Sequence, residues 1–156
     1  MSTQRSRRLP ARIALLAVMV AAPLVLSSAP AFAAGDEDAV VALVNDARAD
    51  AGCDPVTIDS RLTTAASKHA QDQEENGSMS HVGSDGSSFG ERIRREGFNY
   101  RRAAENVAMG TTSPQRVMDL WMKSESHRAN ILNCNLENIG VARSGRYWTQ
   151  DFATEK

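Results

Sequence analysis

The stretch WMKSESHRANIL, residues 121–132, contains the transition that decides the fold of the C-terminal half of the chain. An apolar helical pattern runs into a Ser, a Glu and a His before a second apolar run begins. Upstream, Ser113 and Pro114 form a pair typical of a helix N-terminus, so the pattern predicts a helix from Pro114 to about Ser124. His127 follows the end of this helix. The function of this region therefore depends on which other polar groups His127 meets.

Outward from this stretch, the chain alternates amphipathic helical patterns with polar loops. Each helical pattern is bounded by a capping residue, by glycine or by both. Two short runs flank Ser144 and Gly145, which is typical of a β-hairpin. Four helices and a small central sheet indicate an α+β fold, an α-β-α sandwich around one core. The predicted helices cover about residues 36–52, 59–77, 89–97 and 114–124.

The first 33 residues have the pattern of a secretory signal peptide. Four arginines precede the apolar run IALLAVMVAAPLVL, and AFA at residues 31–33 is the small-x-small pattern that signal peptidase cleaves. Cleavage is predicted after Ala33, which leaves a mature domain of residues 34–156 that is secreted without a stable membrane anchor. The paired arginines in SRRLP match a twin-arginine signal poorly, so the general secretory route is favoured. An uncleaved anchor is the alternative.

The charge of the mature chain limits its partners. Four of the 18 basic residues and none of the 19 acidic residues lie in the first 33 positions, so the mature chain is net acidic. Nucleic acid is excluded as a partner, because phosphate binding needs a clear basic excess. The one basic cluster, ERIRREGFNYRR, is interpreted as a solvated helix face, with contact to an anionic wall polymer as the alternative.

Cys53 and Cys134 are the two cysteines of the chain. An even number of cysteines in an exported protein favours a disulfide. The alternative is a catalytic thiol, but no neighbouring feature marks either thiol as activated. The sequence therefore predicts a Cys53–Cys134 bridge.

The three histidines lie in different settings. His69 falls at the centre of the apolar face of its predicted helix, which favours a packed, hydrogen-bonded structural histidine. His81 lies in the Gly-rich loop SMSHVGSDGSS, and His127 follows a helix end. Loops on a rigid scaffold often carry ligand-binding groups. Spacing alone leaves open whether His81 and His127 meet, and an exposed loop histidine without a function is the alternative.

Four segments of the chain together resemble one family: SHVGSDGSSFGERI, AENVAMG, SPQRVMDLWMKSESHRANILN and NIGVARSGRYWTQDF. They are similar to the CAP superfamily, which includes cysteine-rich secretory proteins, insect venom antigens and plant pathogenesis-related proteins. The short secreted bacterial branch is the best match, over about residues 40–154. The resemblance implies an α-β-α sandwich of the CAP type, and the Cys in ILNC supports the disulfide pairing.

The family cleft gathers two histidines and two acidic residues. Carried over to this chain, the resemblance assigns the histidines to His81 and His127 and the first acid to Glu105. A Gly usually precedes this acid in the family, where this chain has an Ala. The second acidic position corresponds to Ser124, with Glu125 one residue further on. The resemblance therefore predicts a metal site formed by His81, Glu105 and His127. Ser124 and Glu125 are further candidates for the cleft.

Helical periodicity separates the two additional cleft residues. Val117, Leu120 and Trp121 define the buried face of the predicted helix, and Ser124 points in the same direction. Glu125 falls on the flank of this helix. Ser124 is therefore expected to face the cleft, and Glu125 reaches it only where the helix has ended.

Two chemical interpretations of the cleft follow. Two imidazoles and one carboxylate can bind Zn²⁺ with water in an open position. The same groups can form a proton network without a metal. A cleft carboxylate contributes more to its site than to the core, so Glu105→Gln is expected to leave the fold largely intact while weakening metal binding.

Two classes of function remain. The favoured one is a secreted binding or interaction module that recognises a lipid, sterol, glycan or wall-associated ligand, as recurs in the family. The alternative is a metal-dependent extracellular hydrolase or peptidase, which the His and Glu set suggests. A Ser124–His127 nucleophilic pair is rejected, because residues this close in sequence seldom reach attack geometry and no oxyanion motif accompanies them.

Overall fold

The structure is a computed structural model that describes residues 35–156; the predicted signal peptide and its cleavage site lie outside the described residues. Nine elements follow one another in this part of the chain. They are α1 (Asp36–Asp50), β1 (Thr57–Ile58), α2 (Ser60–Asn76), α3 (Phe89–Arg95), β2 (Tyr100–Met109), α4 (Pro114–Lys123), α5 (Glu125–Ile131), β3 (Asn138–Ser144) and β4 (Tyr147–Glu155).

The four strands form one mixed sheet in the order β1-β3-β4-β2. β1 pairs with β3 in parallel, and β4 pairs with β3 and β2 in antiparallel fashion. The hairpin predicted around Ser144 and Gly145 joins β3 to β4 and is confirmed. β2 is an edge strand, and its Glu105 lies opposite Asp151 of the central strand β4. Residues paired in this way project to the same side of the sheet.

Three helices, α1, α4 and α5, contribute to the main hydrophobic core on one face of the sheet. Trp121 of α4 and Trp148 of β4 are fully buried there. The indole Nε1 of Trp121 donates to the Val107 carbonyl at 3.1 Å, which ties α4 to β2. Leu120 was predicted on the buried face of α4, and this prediction is wrong, since 48% of the residue is exposed. Met118 is buried in its place.

On the opposite face, α2 and α3 pack a second, smaller cluster that contains Leu62, Ile93 and Phe98. Gly140 of β3 permits the close approach of α2 to the sheet. A Cβ atom at Gly140 would lie 2.2 Å from the carbonyl carbon of Leu62, so any larger residue would push the helix away. Helices on both faces of the sheet confirm the predicted α+β sandwich.

The stretch that follows Ser124 forms a separate helix, so the described part has five helices where four were predicted. Ser124 has an extended backbone with φ −88° and ψ 125°, and it both ends α4 and precedes α5. Glu125 stands in the first turn of α5, where a negative charge is favourable beside the helix N-terminus. His127 therefore lies on a helix, not in a loop.

The predicted disulfide between Cys53 and Cys134 is confirmed. It joins the segment after α1 to the segment after α5, across a sequence separation of 81 residues. The buried guanidinium of Arg48 reinforces the same junction from inside the protein. It donates to four backbone carbonyls, those of Asp54, Ile131, Asn133 and Leu136.

Within residues 35–156, none of the helices combines the length and the apolar character that crossing a bilayer requires.

Candidate functional site

Glu105 lies at the centre of a buried polar network on the edge strand β2. Its carboxylate is fully buried. Oε1 accepts a hydrogen bond from Nδ1 of His81 at 2.8 Å, and Oε2 accepts from Nη2 of Arg92 at 2.6 Å. The structure therefore brings two of the predicted site residues, His81 and Glu105, into direct contact. Arg92 supplies the positive charge that a buried carboxylate needs.

The prediction that the basic cluster is a solvated helix face is wrong for Arg92. Arg94, Arg95, Arg101 and Arg102 are more accessible, but only 7% of Arg92 is accessible. Its guanidinium also donates to the carbonyls of Ser87 and His81 at 2.8 and 3.1 Å. Arg92 thereby fixes the loop that carries His81 onto β2. Sequence reasoning missed this residue because a single buried arginine cannot be distinguished from exposed neighbours in an arginine-rich helix.

Asp151 is a second buried acid of the network, on β4 opposite Glu105. Burial, followed by the negative charge of Glu105, raises the pKa of Asp151 well above its usual range. The protonated form of Asp151 is therefore favoured, and neither of its carboxyl oxygens has a hydrogen-bond partner among the described residues. The motif WTQDF placed Asp151 in a strand, but only the strand register shows that it faces Glu105.

His69 completes this network on α2. The residue is buried, and Nε2 donates to the Ser80 carbonyl at 2.7 Å, which confirms the prediction of a packed, hydrogen-bonded histidine. Nε2 also lies 4.0 Å from Oε2 of Glu105. Burial is the main cause that lowers the pKa of His69, so its neutral ring is favoured. His69 is thus both a core residue and a neighbour of the site.

His127 approaches the site from the other side of the edge strand. Its backbone carbonyl accepts from Nδ2 of Asn106 at 3.2 Å, and Nδ2 of Asn130 donates to the side-chain oxygen of Asn106 at 2.9 Å. These amides fasten α5 to β2. Among the ion pairs and hydrogen bonds of residues 35–156, none joins the His127 ring to Glu105. A site shared by all three predicted residues therefore stays a prediction.

The side chains around Glu105 leave few ligand atoms for a zinc ion. Both oxygens of Glu105 are already engaged, by His81 and Arg92. Because Nδ1 of His81 donates to Glu105, the carboxylate orients this ring from behind and leaves Nε2 as the free nitrogen of the neutral imidazole. Among the described residues, no group of three His, Cys, Asp or Glu side chains is placed to hold a metal ion. The side chains in this arrangement do not fit a three-ligand zinc site, and zinc binding stays a prediction.

An apolar groove of about 240 Å³ adjoins His127 at the edge of the sheet. Met79 lies in the loop before His81, and Leu120 projects from α4. Ser124 also lines the groove, as predicted from the helical periodicity, whereas Glu125 does not. The main lining residues are Met79, Val107, Met109, Leu120, Ser124 and His127.

The two cleft histidines are expected to titrate in a fixed order. The hydrogen bond to Glu105 is the main cause that raises the pKa of His81, because it favours the imidazolium. Burial, followed by the charge of His81, lowers the pKa of His127. As the pH falls from neutral, His81 should therefore protonate before His127. NMR titration of the imidazole C–H signals measures both, with unperturbed imidazole at about 6.5 as the reference.

The variant Glu105→Gln identifies the cause of the shift at His81. Loss of the carboxylate charge removes the preference for imidazolium, so the pKa of His81 should fall. The pKa of His127 should rise, because the charge on His81 that lowers it is then present over a smaller pH range. Arg101→Gln, which replaces an exposed charge that pairs with Glu137, serves as the control and should shift neither histidine. Protonation of His127 before His81 in the wild type contradicts the hydrogen-bonded arrangement.

An α-β-α sandwich around one mixed four-stranded sheet is the CAP-type fold that the sequence resemblance implied. The chain belongs to the cysteine-rich secretory protein (CAP) family, whose family model matches residues 41–152. The uncharacterized protein YkwD of Bacillus subtilis (strain 168) is 38% identical over 128 residues, covering 81% of this chain and 50% of that protein. The uncharacterized membrane protein YlbC of the same organism is 28% identical over 116 residues, covering 74% of this chain and 34% of that protein. The chain thus spans half or less of these relatives.

Solved structures agree with this assignment. An extracellular protein containing an SCP domain from Bacillus anthracis str. Ames superposes with a TM-score of 0.75 at 25% identity, covering 77% of this chain and 40% of that chain. An outer surface protein from Borrelia burgdorferi superposes with a TM-score of 0.73 at 22% identity, covering 78% of this chain and 93% of that chain. The second likeness concerns the fold alone.

Proposed function

We propose that this CAP domain is an exported binding module whose groove holds the apolar chain of a single-chain lipid with a small anionic head. Export is inferred from the signal-peptide pattern of residues 1–33. The structural neighbour from Bacillus anthracis is an extracellular protein, which supports the same location.

One observation carries the lipid proposal. Five large hydrophobic side chains stay exposed in the described part of the chain, and three of them, Met79, Met109 and Leu120, line the groove beside His127. Concentration of exposed apolar area at one place is typical of a binding surface. Methionine suits this role because its flexible thioether adapts to ligands of varied shape.

The dimensions and charges of the groove favour one acyl chain over a sterol. At about 240 Å³ the groove is smaller than the roughly 300–1,000 Å³ of sites that enclose a drug-sized ligand. His81 has a raised pKa and a side chain that is 53% exposed, so it can offer a positive charge near the groove to a carboxylate head. A fatty acid or a lysolipid with an anionic head meets both conditions.

The hydrolase alternative gains no support of its own from the geometry. The Ser124 hydroxyl lies 3.2 Å from that of Ser126, and among the described hydrogen bonds none joins Ser124 to His127. Ser124 is therefore not activated as a nucleophile by a hydrogen bond to this histidine.

Binding of a fluorescent long-chain fatty acid, and its displacement by palmitate, tests the proposal. Leu120→Glu places a charge in the groove at a position that is 48% exposed, so the fold should be unaffected. Loss of the leucine contact that a bound acyl chain buries should weaken binding by about tenfold or more. The assay is done on the mature chain, with circular dichroism to verify folding.

Ile58→Glu is the matched control. Ile58 is 51% exposed and lies on β1, at the opposite edge of the sheet from β2. Its replacement should leave fatty-acid affinity unchanged. Equal affinity in both variants, or no binding by the wild type, would exclude the groove as a lipid site.

A further inference from the structure

A second cavity lies on the opposite side of the buried Glu105 network from His127. It has a volume of about 440 Å³ and opens between α2, α3 and the loop that joins them. His69 and Arg92 form part of its wall, while His81, Glu105 and His127 do not line it. Its volume lies within the usual range of small-molecule sites, roughly 300–1,000 Å³.

Most residues that line this cavity are polar or charged, and their charges are balanced. Lys68 pairs with Glu96 at 2.6 Å, and Arg95 pairs with Asp85 at 2.6 Å. Asp72 accepts from the backbone N–H of Ser84 at 2.9 Å, which holds the loop against α2. Cations and carboxylates are both present on the lining, so neither a strongly anionic nor a strongly cationic ligand is favoured overall.

The wall residues offer both donors and an acceptor to a ligand. The side chains of Lys68 and Arg95 are 66% and 54% exposed, and each carries more N–H groups than its one carboxylate partner engages. His69 donates through Nε2 to the Ser80 carbonyl, so Nδ1 of its neutral ring is an acceptor. Donors and an acceptor on one cavity wall suit a group that both accepts and donates. A hydroxyl is such a group.

We propose that this cavity binds a neutral saccharide residue. A sugar presents several hydroxyls that can match the donors and acceptors of the lining, and it carries no charge to be repelled by Asp72, Asp85 or Glu96. The apolar lining is restricted to Ala65, Gly83 and the aliphatic stems of the charged side chains, which excludes a large apolar ligand. The site is separate from the lipid groove and does not depend on the lipid proposal.

The loop that forms one wall is organised before a ligand arrives. The backbone N–H of Gly83 donates to the Ser87 carbonyl at 2.9 Å, and the N–H of Ser87 donates to Asp85 at 2.9 Å. A Cβ atom at Gly83 would lie 2.7 Å from the Ser87 hydroxyl, so the loop is compact at this point. A preformed wall lowers the entropic cost of binding a flexible, weakly interacting ligand such as a sugar.

The test is an NMR titration of the isotope-labelled mature chain with chitotriose and with maltotriose, each at millimolar concentration. Binding should shift the backbone amide signals of Gly83, Ser84 and Ser87, whereas amides of the lipid groove should not respond. Inorganic phosphate is titrated in parallel as an anionic probe. Leu120→Glu, which disrupts the lipid groove, should bind saccharide as the wild type does.

Arg95→Ala and Arg101→Ala form a matched pair of variants. Each arginine side chain is 54% exposed and pairs with one carboxylate, but only Arg95 lines the cavity. Arg95→Ala should weaken saccharide binding by about tenfold, as expected for loss of a charged hydrogen bond, and Arg101→Ala should not. The proposal is overturned if neither saccharide shifts the loop amides, if phosphate alone shifts them, or if the two variants bind saccharide equally.

Discussion

A Cys53→Ala/Cys134→Ala protein is expected to have a free energy of unfolding about 4–5 kcal/mol lower than that of the oxidised wild type. The bridge spans a sequence separation of 81 residues, so its loss releases a long loop in the unfolded chain. The chain-entropy treatment gives that magnitude for a loop of this length. The free energy of unfolding of a native protein is usually about 5–15 kcal/mol, so this loss should bring the protein close to unfolding.

Urea unfolding followed by tryptophan fluorescence measures the effect, since Trp121 and Trp148 are both buried. The free energy of unfolding should also fall more steeply with urea concentration, because the unfolded state without the bridge is less compact. Wild type treated with a reductant is the control and should unfold like the double variant. A loss below about 1 kcal/mol would mean that Arg48, which binds four carbonyls at the same junction, is the main brace.

The parts of the fold that could be predicted from the sequence carry local signals. Ser113 and Pro114 start α4, and the cap at Asp59 and the left-handed Gly77 bound α2. The strand β2 was missed because Ala, Glu and Asn in RRAAENVAM are poor strand formers. Pairing with β4 along its length overrides that weak local preference. The extended backbone at Ser124, which divides α4 from α5, likewise has no distinct local signal.

The candidate site was predictable only where the family resemblance supplied positions. It identified His81 and Glu105, which are in contact at 2.8 Å. It could not identify Arg92 or Asp151, because their roles arise from tertiary contacts: Arg92 reaches Glu105 from α3, and Asp151 faces Glu105 through the register of β4. Leu120 was misplaced for a related reason. A helix beside a groove exposes apolar residues that periodicity assigns to the core.

The burial of Glu105 also changes what its substitution should do. Sequence reasoning expected Glu105→Gln to leave the fold largely intact, on the assumption of an accessible cleft carboxylate. The carboxylate is instead fully buried and its side chain pairs with Arg92 at 2.6 Å. Two buried charges in contact stabilise each other, and removal of either leaves the other without compensation. Glu105 is therefore a structural as well as a site residue.

Arg92→Met is accordingly expected to lower the free energy of unfolding by about 3–5 kcal/mol. The substitution preserves much of the apolar stem but removes the guanidinium that pairs with the Glu105 carboxylate and leaves His81 as its remaining partner. It also removes the donors to the carbonyls of Ser87 and His81, so the loop should detach from β2. Hydrogen exchange of the loop amides should increase more than that of α1, which lies on the other face of the sheet.

The double variant Arg92→Met/Glu105→Gln separates loss of the ion pair from loss of packing. If the main cost is an uncompensated buried charge, the double variant should be more stable than the sum of the two single changes predicts, by about 1–3 kcal/mol. Arg95→Met is the control on the same helix, with a side chain that is 54% exposed, and it should change stability by less than about 0.5 kcal/mol. Additive losses in the double variant would show that Arg92 and Glu105 act independently. The Arg92–Glu105 contact would then not be what holds the His81 loop on the edge of the sheet.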